Sequence, residues 1–250
     1  MMKRAFTMIE MLLVIGILAL LLSIVGMRSK EVFKKAAQIS CTNNMRQLSL
    51  GIQMYAQDDK DGNLSAKVDS EDQDMNWLYR GYVDHRDAYI CPNTKNHIRK
   101  DQSTNTFTGE KGLTDIMYLS GSRNKTPGMS YQGFGFTGYG VDANQKIRVN
   151  GKWKTLNGIR KNLSNIQTYR HYHNSFGLRG VIPGPSQIWI LTDQTLPGIW
   201  YYPDPEDNHG SKGANIAFCD GHIEWVKRED FIYRYELSQD EGRTNIELTW

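Results

Sequence analysis

Apolar and polar positions divide the chain sharply. From Phe6 to Met27 the run FTMIEMLLVIGILALLLSIVGM carries a single charge, Glu10; as a helix it rises about 33 Å, close to the hydrocarbon thickness of a bilayer. The pattern then changes without a break. Cys41, Met45, Leu48, Ile52 and Tyr55 follow at spacings of four, three, four and three, which is one face of a helix, while Asn43, Asn44, Arg46, Gln47 and Gln53 fill the rest. The expectation is one continuous helix from about Phe6 to about Gln57, apolar all round in its first half and amphipathic in its second.

Beyond it the signals are shorter. Leu64 to Asn76 reads as irregular, Trp77, Leu78, Tyr79 and Tyr82 as a helical turn, and Ala88 to Cys91 as a small extended piece stopped by Pro92. Asn93 to Asp115 lacks apolar periodicity and reads as a long surface loop or a disordered excursion. Lys146 to Lys154 is a hairpin turning at Asn150 and Gly151, with Arg148 facing Trp153, Ile147 facing Lys154 and Val149 facing Lys152. Gln187 to Asp193, QIWILTD, is a buried strand after Pro183 and Pro185. In GANIAFCDGHIEWVK the dipeptide Asp220-Gly221 predicts a type I′ turn pairing Cys219 with His222, Phe218 with Ile223, Ala217 with Glu224 and Ile216 with Trp225. Phe218, Ile223, Ile216 and Trp225 then share a core face. NIELTW closes the sheet as a last strand, after a polar loop from Ser238 to Thr244.

The length, 250 residues, suits one membrane helix and one globular domain of ordinary size. Net charge is +3, and loss of Lys3 and Arg4 would leave 3 − 2 = +1. No stripe of basic residues interleaved with aromatics appears, so no nucleic-acid footprint is evident. Arg28, Lys30, Lys34 and Lys35 crowd the far side of the apolar run, so flanking charge does not fix its orientation. The cysteines, Cys41, Cys91 and Cys219, allow three different pairs in an oxidising compartment, or none.

Candidate chemistry is thin. Asp58, Asp59, Asp61 and Asn63 offer oxygens for calcium, but Gly62 stands at the fourth place counted from Asp59 instead of the sixth, and a solvated helix stop explains the run better. Tyr131, Phe134, Phe136 and Tyr139, spaced by glycines, suit either sugar stacking or core strands with close turns, and the core is the stronger reading. His171 and His173 would share one side of a strand, without a further ligand nearby in sequence to make zinc. His209 is expected on an exposed entry loop, Asp220 is used by the turn, and His222 is expected to point away from the Phe218 face. No catalytic residue, cofactor or metal is assigned.

The block KRAFTMIEMLLVIGILALLLSI resembles the N-terminus of type IV prepilins and type II secretion pseudopilins, where a short basic leader is cut before a Phe and a Glu stands at the fifth mature position. Those positions are Phe6 and Glu10, with Ala5 where the family usually has Gly. Ile39 to Asn63 is similar to a large family of prepilin-leader proteins whose domain has no assigned activity; Cys41, Asn44, Met54, Tyr55, Ala56, Asp58 and Gly62 match its Cys-x-x-Asn helix and acidic loop. That family's signature is a His, nine residues and Asp-Gly; here ten residues separate His209 from Asp220. The resemblance implies a leader at 1–5, a long helix at 6–57 whose 6–27 half lies in the membrane, and an extracytoplasmic domain at 58–250. It implies an α+β, pilin-like fold, the helix packed on an antiparallel sheet with long loops, and a disulfide between Cys41 and Cys91. The function implied is a non-enzymatic filament subunit, cut by prepilin peptidase between Ala5 and Phe6, methylated, and assembled through Glu10. Its partners would be like subunits and the inner-membrane assembly machinery, its location the bacterial inner membrane and then a periplasmic or surface filament. The rival is a membrane-anchored extracytoplasmic carbohydrate-binding protein or enzyme.

Overall fold

The computed structural model describes residues 7–67, 73–100, 103–105, 111–117, 127–138, 146–149, 152–155, 158–193, 203–205 and 207–242, without the side chains of 24–30, 104, 146–149 and 152–155. Its first element is a helix of 51 residues, α1 (Met8–Asp58). Thr7 starts it through a capping box: the Thr7 hydroxyl accepts from Glu10 N at 3.3 Å and Thr7 N donates to Glu10 Oε2 at 2.8 Å. Asp59 ends it. One Asp59 carboxylate oxygen accepts from Asp61 N, Asn63 N and Asn63 Nδ2 at 3.0, 3.0 and 2.8 Å, so the acidic run is a helix stop built from local hydrogen bonds.

Short elements follow: α2 (Asn76–Tyr79), β1 (Ser103–Asn105), β2 (Lys111–Leu113), β3 (Gln132–Gly133), β4 (Phe136–Thr137), β5 (Lys146–Val149), β6 (Lys152–Thr155), β7 (Ile159–Arg160) and α3 (Asn165–Thr168). The last are β8 (Trp189–Thr192), β9 (Gly213–Phe218), β10 (Ile223–Lys227) and α4 (Arg228–Gln239). The fold is α+β. Its main sheet runs β10-β9-β8-β3, antiparallel throughout. β5 and β6 pair with Arg148 opposite Trp153, Ile147 opposite Lys154 and Val149 opposite Lys152.

Several expectations need correction. Arg86–Tyr89 is a 3-10 turn, not an extended piece. The segment after Asn93 is no featureless loop: β1 and β2 pair, and Leu113 and Ile116 reach the core. Ser238 and Gln239 belong to the last turn of α4 and are buried there. NIELTW, Tyr139 and the Asn150-Gly151 turn lie outside the described residues.

The β9–β10 hairpin is shifted by one residue from its predicted register. Ile223 faces Ala217, Glu224 faces Ile216 and Trp225 faces Asn215. The loop has three residues: Gly221 N donates to Phe218 O at 2.9 Å and Phe218 N to His222 O at 3.0 Å, and Gly221 takes φ 93°. That is the loop class in which a glycine in the left-handed region closes the turn, and it displaces the two-residue type I′ geometry. Ile223 and Trp225 therefore both leave the Phe218 face, Ile223 packing against the α1-side cluster, whereas His222 joins it and stacks on the Phe218 ring at 4.4 Å.

The sheet is buried on both faces. Leu191, Ala217 and Cys219 pack toward Cys41, Met45, Leu48 and Ile52 of α1. Trp189, Ile216, Phe218 and Val226 pack with Phe231 and Tyr235 of α4. A bulge between Trp189 and Leu191 lets two residues that would share a face serve opposite layers. Tyr55, expected in the α1 stripe, is only half-buried; Ala56 takes its place in the core.

The Cys-x-x-Asn spacing has a physical use. Cys41 is joined to Cys91 by a disulfide, Cα to Cα 5.2 Å, and Asn44, next on that helix face, donates to Ile90 O at 2.9 Å and Asp87 O at 3.2 Å. One covalent and two polar ties thus fasten 87–91 to α1. Gln53 Nε2 donates to Cys219 O at 2.9 Å, tying the hairpin loop to the same helix.

Candidate functional site

The start of α1, from Met8 to Leu22, projects its apolar side chains away from the domain. Its large apolar side chains from Met8 to Leu22 are exposed, Met8 at 85% and Leu22 at 71%, and the only charge among them is Glu10, folded back on Thr7. An apolar surface continuous around a helix needs another apolar phase or a partner to cover it. Among the described residues no helix is long and apolar enough to cross a membrane; the apolar run of the sequence, Phe6 to Met27, extends at both ends past Met8–Ser23, where side chains are described. Ala5 and Phe6 lie outside the described residues.

A second constellation surrounds the disulfide. His209 follows Asn208, whose side-chain amide donates to Ser130 O at 2.7 Å and also meets Asp193 O. His209 Nε2 lies 3.0 Å from Asp193 Oδ2 and 3.6 Å from Cys91 Sγ. The Trp225 ring stands edge-on to the imidazole at 5.8 Å. Asp193, at the end of β8, also accepts from Asn215 N at 2.8 Å. With its side chain 6% exposed, His209 is not the loop histidine the sequence suggests. It pairs with Asp193, not Asp220, whose carboxylate takes the His222 ring nitrogen at 2.6 Å.

His209→Ala therefore removes a charge-assisted partner from a carboxylate that is 1% exposed. Stability should fall by about 1 to 3 kcal/mol in urea or thermal unfolding. A change within about 0.5 kcal/mol, as for a free surface side chain, would remove His209 from the packed site.

The third constellation closes the far end of α4. Asp240 is left-handed at φ 51°, and its carboxylate accepts from Tyr172 N at 2.7 Å, His173 N at 3.0 Å and the Tyr169 hydroxyl. His171 faces acceptors at both ring nitrogens: Nε2 meets Glu236 O at 2.8 Å, Nδ1 meets Asp240 Oδ1 at 3.0 Å and His173 O at 3.2 Å. A ring so placed carries both protons. Burial opposes that charge, but the Asp240 carboxylate and Glu236 carbonyl outweigh it and raise the His171 pKa; burial likewise works against ionised Asp240, and its donors hold the carboxyl low. His171 and His173 sit in an irregular segment, not on a strand. Glu236 and Asp240 do bring carboxylates to His171, a neighbourhood the sequence did not suggest, yet an imidazolium has no lone pair for a metal.

Sequence reasoning missed Asp193, Glu236, Asp240 and the buried Lys161. Burial lowers the Lys161 amine to about 7; it donates to Trp189 O at 2.7 Å beneath the Phe134 ring. Tyr131 and Phe136 are core residues and Phe134 packs on the α4-side cluster, so these three, among the described residues, serve the core and not a sugar-stacking surface. No family model, no curated protein and no solved structure matches the chain.

Proposed function

We propose that this chain is a non-enzymatic structural subunit of the pilin or pseudopilin kind, with a pilin-like architecture, cut by prepilin peptidase between Ala5 and Phe6 and assembled with like subunits from the inner membrane into a filament. One observation carries the reading: from Met8 to Leu22 α1 exposes apolar side chains around its whole circumference, while its second half holds the domain through Cys41, Asn44 and Gln53. Such a helix serves as a shared core strut, covered by lipid before assembly and by neighbouring helices after it.

Glu10 provides the test. A charge kept in an apolar span asks for a named partner, and cleavage would create one in the Phe6 ammonium of a neighbouring subunit. The capping box, however, already occupies Glu10 within its own chain. Glu10→Gln keeps the side-chain acceptor for Thr7 N and loses the charge; Glu10→Ala loses both. Membrane integration and leader removal should survive in both variants, since 11–27 contains only apolar and small residues. Filament yield should collapse in both. Normal yield with Gln and poor yield with Ala would reduce Glu10 to a helix cap.

A further inference from the structure

The geometry points to a zinc site hidden behind the Cys41–Cys91 disulfide, formed by Cys41, Cys91, His209 and Asp193 when the cysteines are thiols. Cys41 Sγ, Cys91 Sγ and His209 Nε2 lie within 4.8 Å of one another. Asp193 Oδ2 supplies a fourth donor 3.0 Å from that same nitrogen. In a tetrahedral zinc site, with Zn–S about 2.3 Å and Zn–N or Zn–O about 2.0 to 2.2 Å, donor atoms stand roughly 3.3 to 3.8 Å apart. Cys91 Sγ to His209 Nε2 is 3.6 Å, already at that spacing. The two sulfurs must separate, which their Cα atoms, 5.2 Å apart, allow by side-chain rotation, and Asp193, which touches His209 but stands outside the close group of Cys41, Cys91 and His209, must swing its carboxylate toward the sulfurs. Two sulfurs, one imidazole and one carboxylate suit zinc and are poor ligands for calcium or magnesium.

The supports are in place without the ion. Asp193 is aimed by Asn215 N, the His209 ring by Trp225, and Cys91 is the last residue of the segment tied down by Asn44. A groove of about 590 Å³ along α1, lined by Glu31, Lys34, Lys35, Lys212 and Trp225 among others, reaches the site at His209. The chemistry balances as two exclusive states. A dithiol reductant passes two electrons and two protons to the disulfide and leaves as its own disulfide. Zinc then displaces both thiol protons, and the Nε2 proton moves to Nδ1 or to solvent. Disulfide and zinc therefore compete for the same sulfurs.

The test uses the full chain in detergent, reduced with dithiothreitol and freed of it without oxygen, then titrated with cobalt(II) and with zinc(II) against a chromophoric chelator. The reduced wild type should bind one equivalent, with thiolate-to-cobalt charge transfer and the strong visible bands of a tetrahedral ion. The disulfide form should bind none. His209→Ala and Asp193→Asn should each weaken the reduced site about tenfold or more, and zinc should shield both thiols from alkylation. Near-UV circular dichroism of each reduced chain before metal addition reports whether the fold is kept. Stoichiometric binding by the disulfide form, no binding by the reduced form, equal affinity in His209→Ala, or a reduced chain that has lost its near-UV signal would each overturn the site. Filament yield does not enter these readouts, so the subunit proposal stands or falls separately.

Discussion

Asp240→Asn should destabilise the folded domain by about 3 to 5 kcal/mol, the range for breaking a buried ion pair from one side. The substitution keeps the size, and asparagine tolerates the left-handed backbone that Asp240 adopts. What changes is charge: the His171 imidazolium, fully buried with Asp240, loses the carboxylate bonded to its Nδ1 and keeps only that of Glu236 in the same cluster, and the new amide hydrogens meet donors at Tyr172 N, His173 N or the Tyr169 hydroxyl. The pH dependence follows. His171 is raised above its ordinary value of about 6.5, so its contribution is fully present below that value and is lost as pH climbs through the raised one. Asp240 is lowered, so its contribution is present above about 3.9 and is lost as pH falls through the depressed value. The gap between wild type and Asp240→Asn in urea unfolding should be widest between about pH 4 and 6.5 and narrow toward alkaline pH. A gap unchanged at pH 9 would mean that the ring is neutral and the argument from its two acceptors is wrong.

Local pattern made some of this fold legible and left the rest obscure for identifiable reasons. α1 was readable because a stripe at spacings of three and four survives whatever packs on it. β8 and β9 were readable as strands, but their faces were not. β9 is buried on both sides, with Ala217 under α1 and Ile216 and Phe218 under α4, so alternation could not choose between registers and the Asp-Gly pair suggested the wrong loop. α4 received no assignment from the sequence, although Phe231 and Tyr235 stand four apart and are both buried. The clusters were harder still. His171 meets Asp240 and His209 meets Asp193 only through the fold, and no local spacing links them. The one available hint was position: Asp193 closes an apolar strand and Asp240 follows a helix just before Gly242, places where a buried carboxylate can reach backbone donors.

Phe218→Asp should unfold the domain, and the contrast with Trp225→Ala tests the hairpin register. Phe218 is fully buried between Trp189, Ile216 and Phe231, stacked on His222, with the Arg234 guanidinium 5.6 Å from its ring centre. Truncating such a ring costs about 3 to 5 kcal/mol. A carboxylate in the same space adds a desolvation cost of several kcal/mol, of which Arg234 and His222 at the rim can recover part. Set against about 5 to 15 kcal/mol for a whole domain, the sum removes most or all of the stability, visible as loss of near-UV circular dichroism and rapid proteolysis. Trp225 is half-buried opposite Asn215, beside His209, and outside the cluster that Phe218 anchors. Trp225→Ala should therefore cost clearly less than Phe218→Ala. If the two alanine variants are equally destabilised, Trp225 shares the Phe218 core, as a two-residue turn at Asp220-Gly221 would require, and the three-residue loop is refuted.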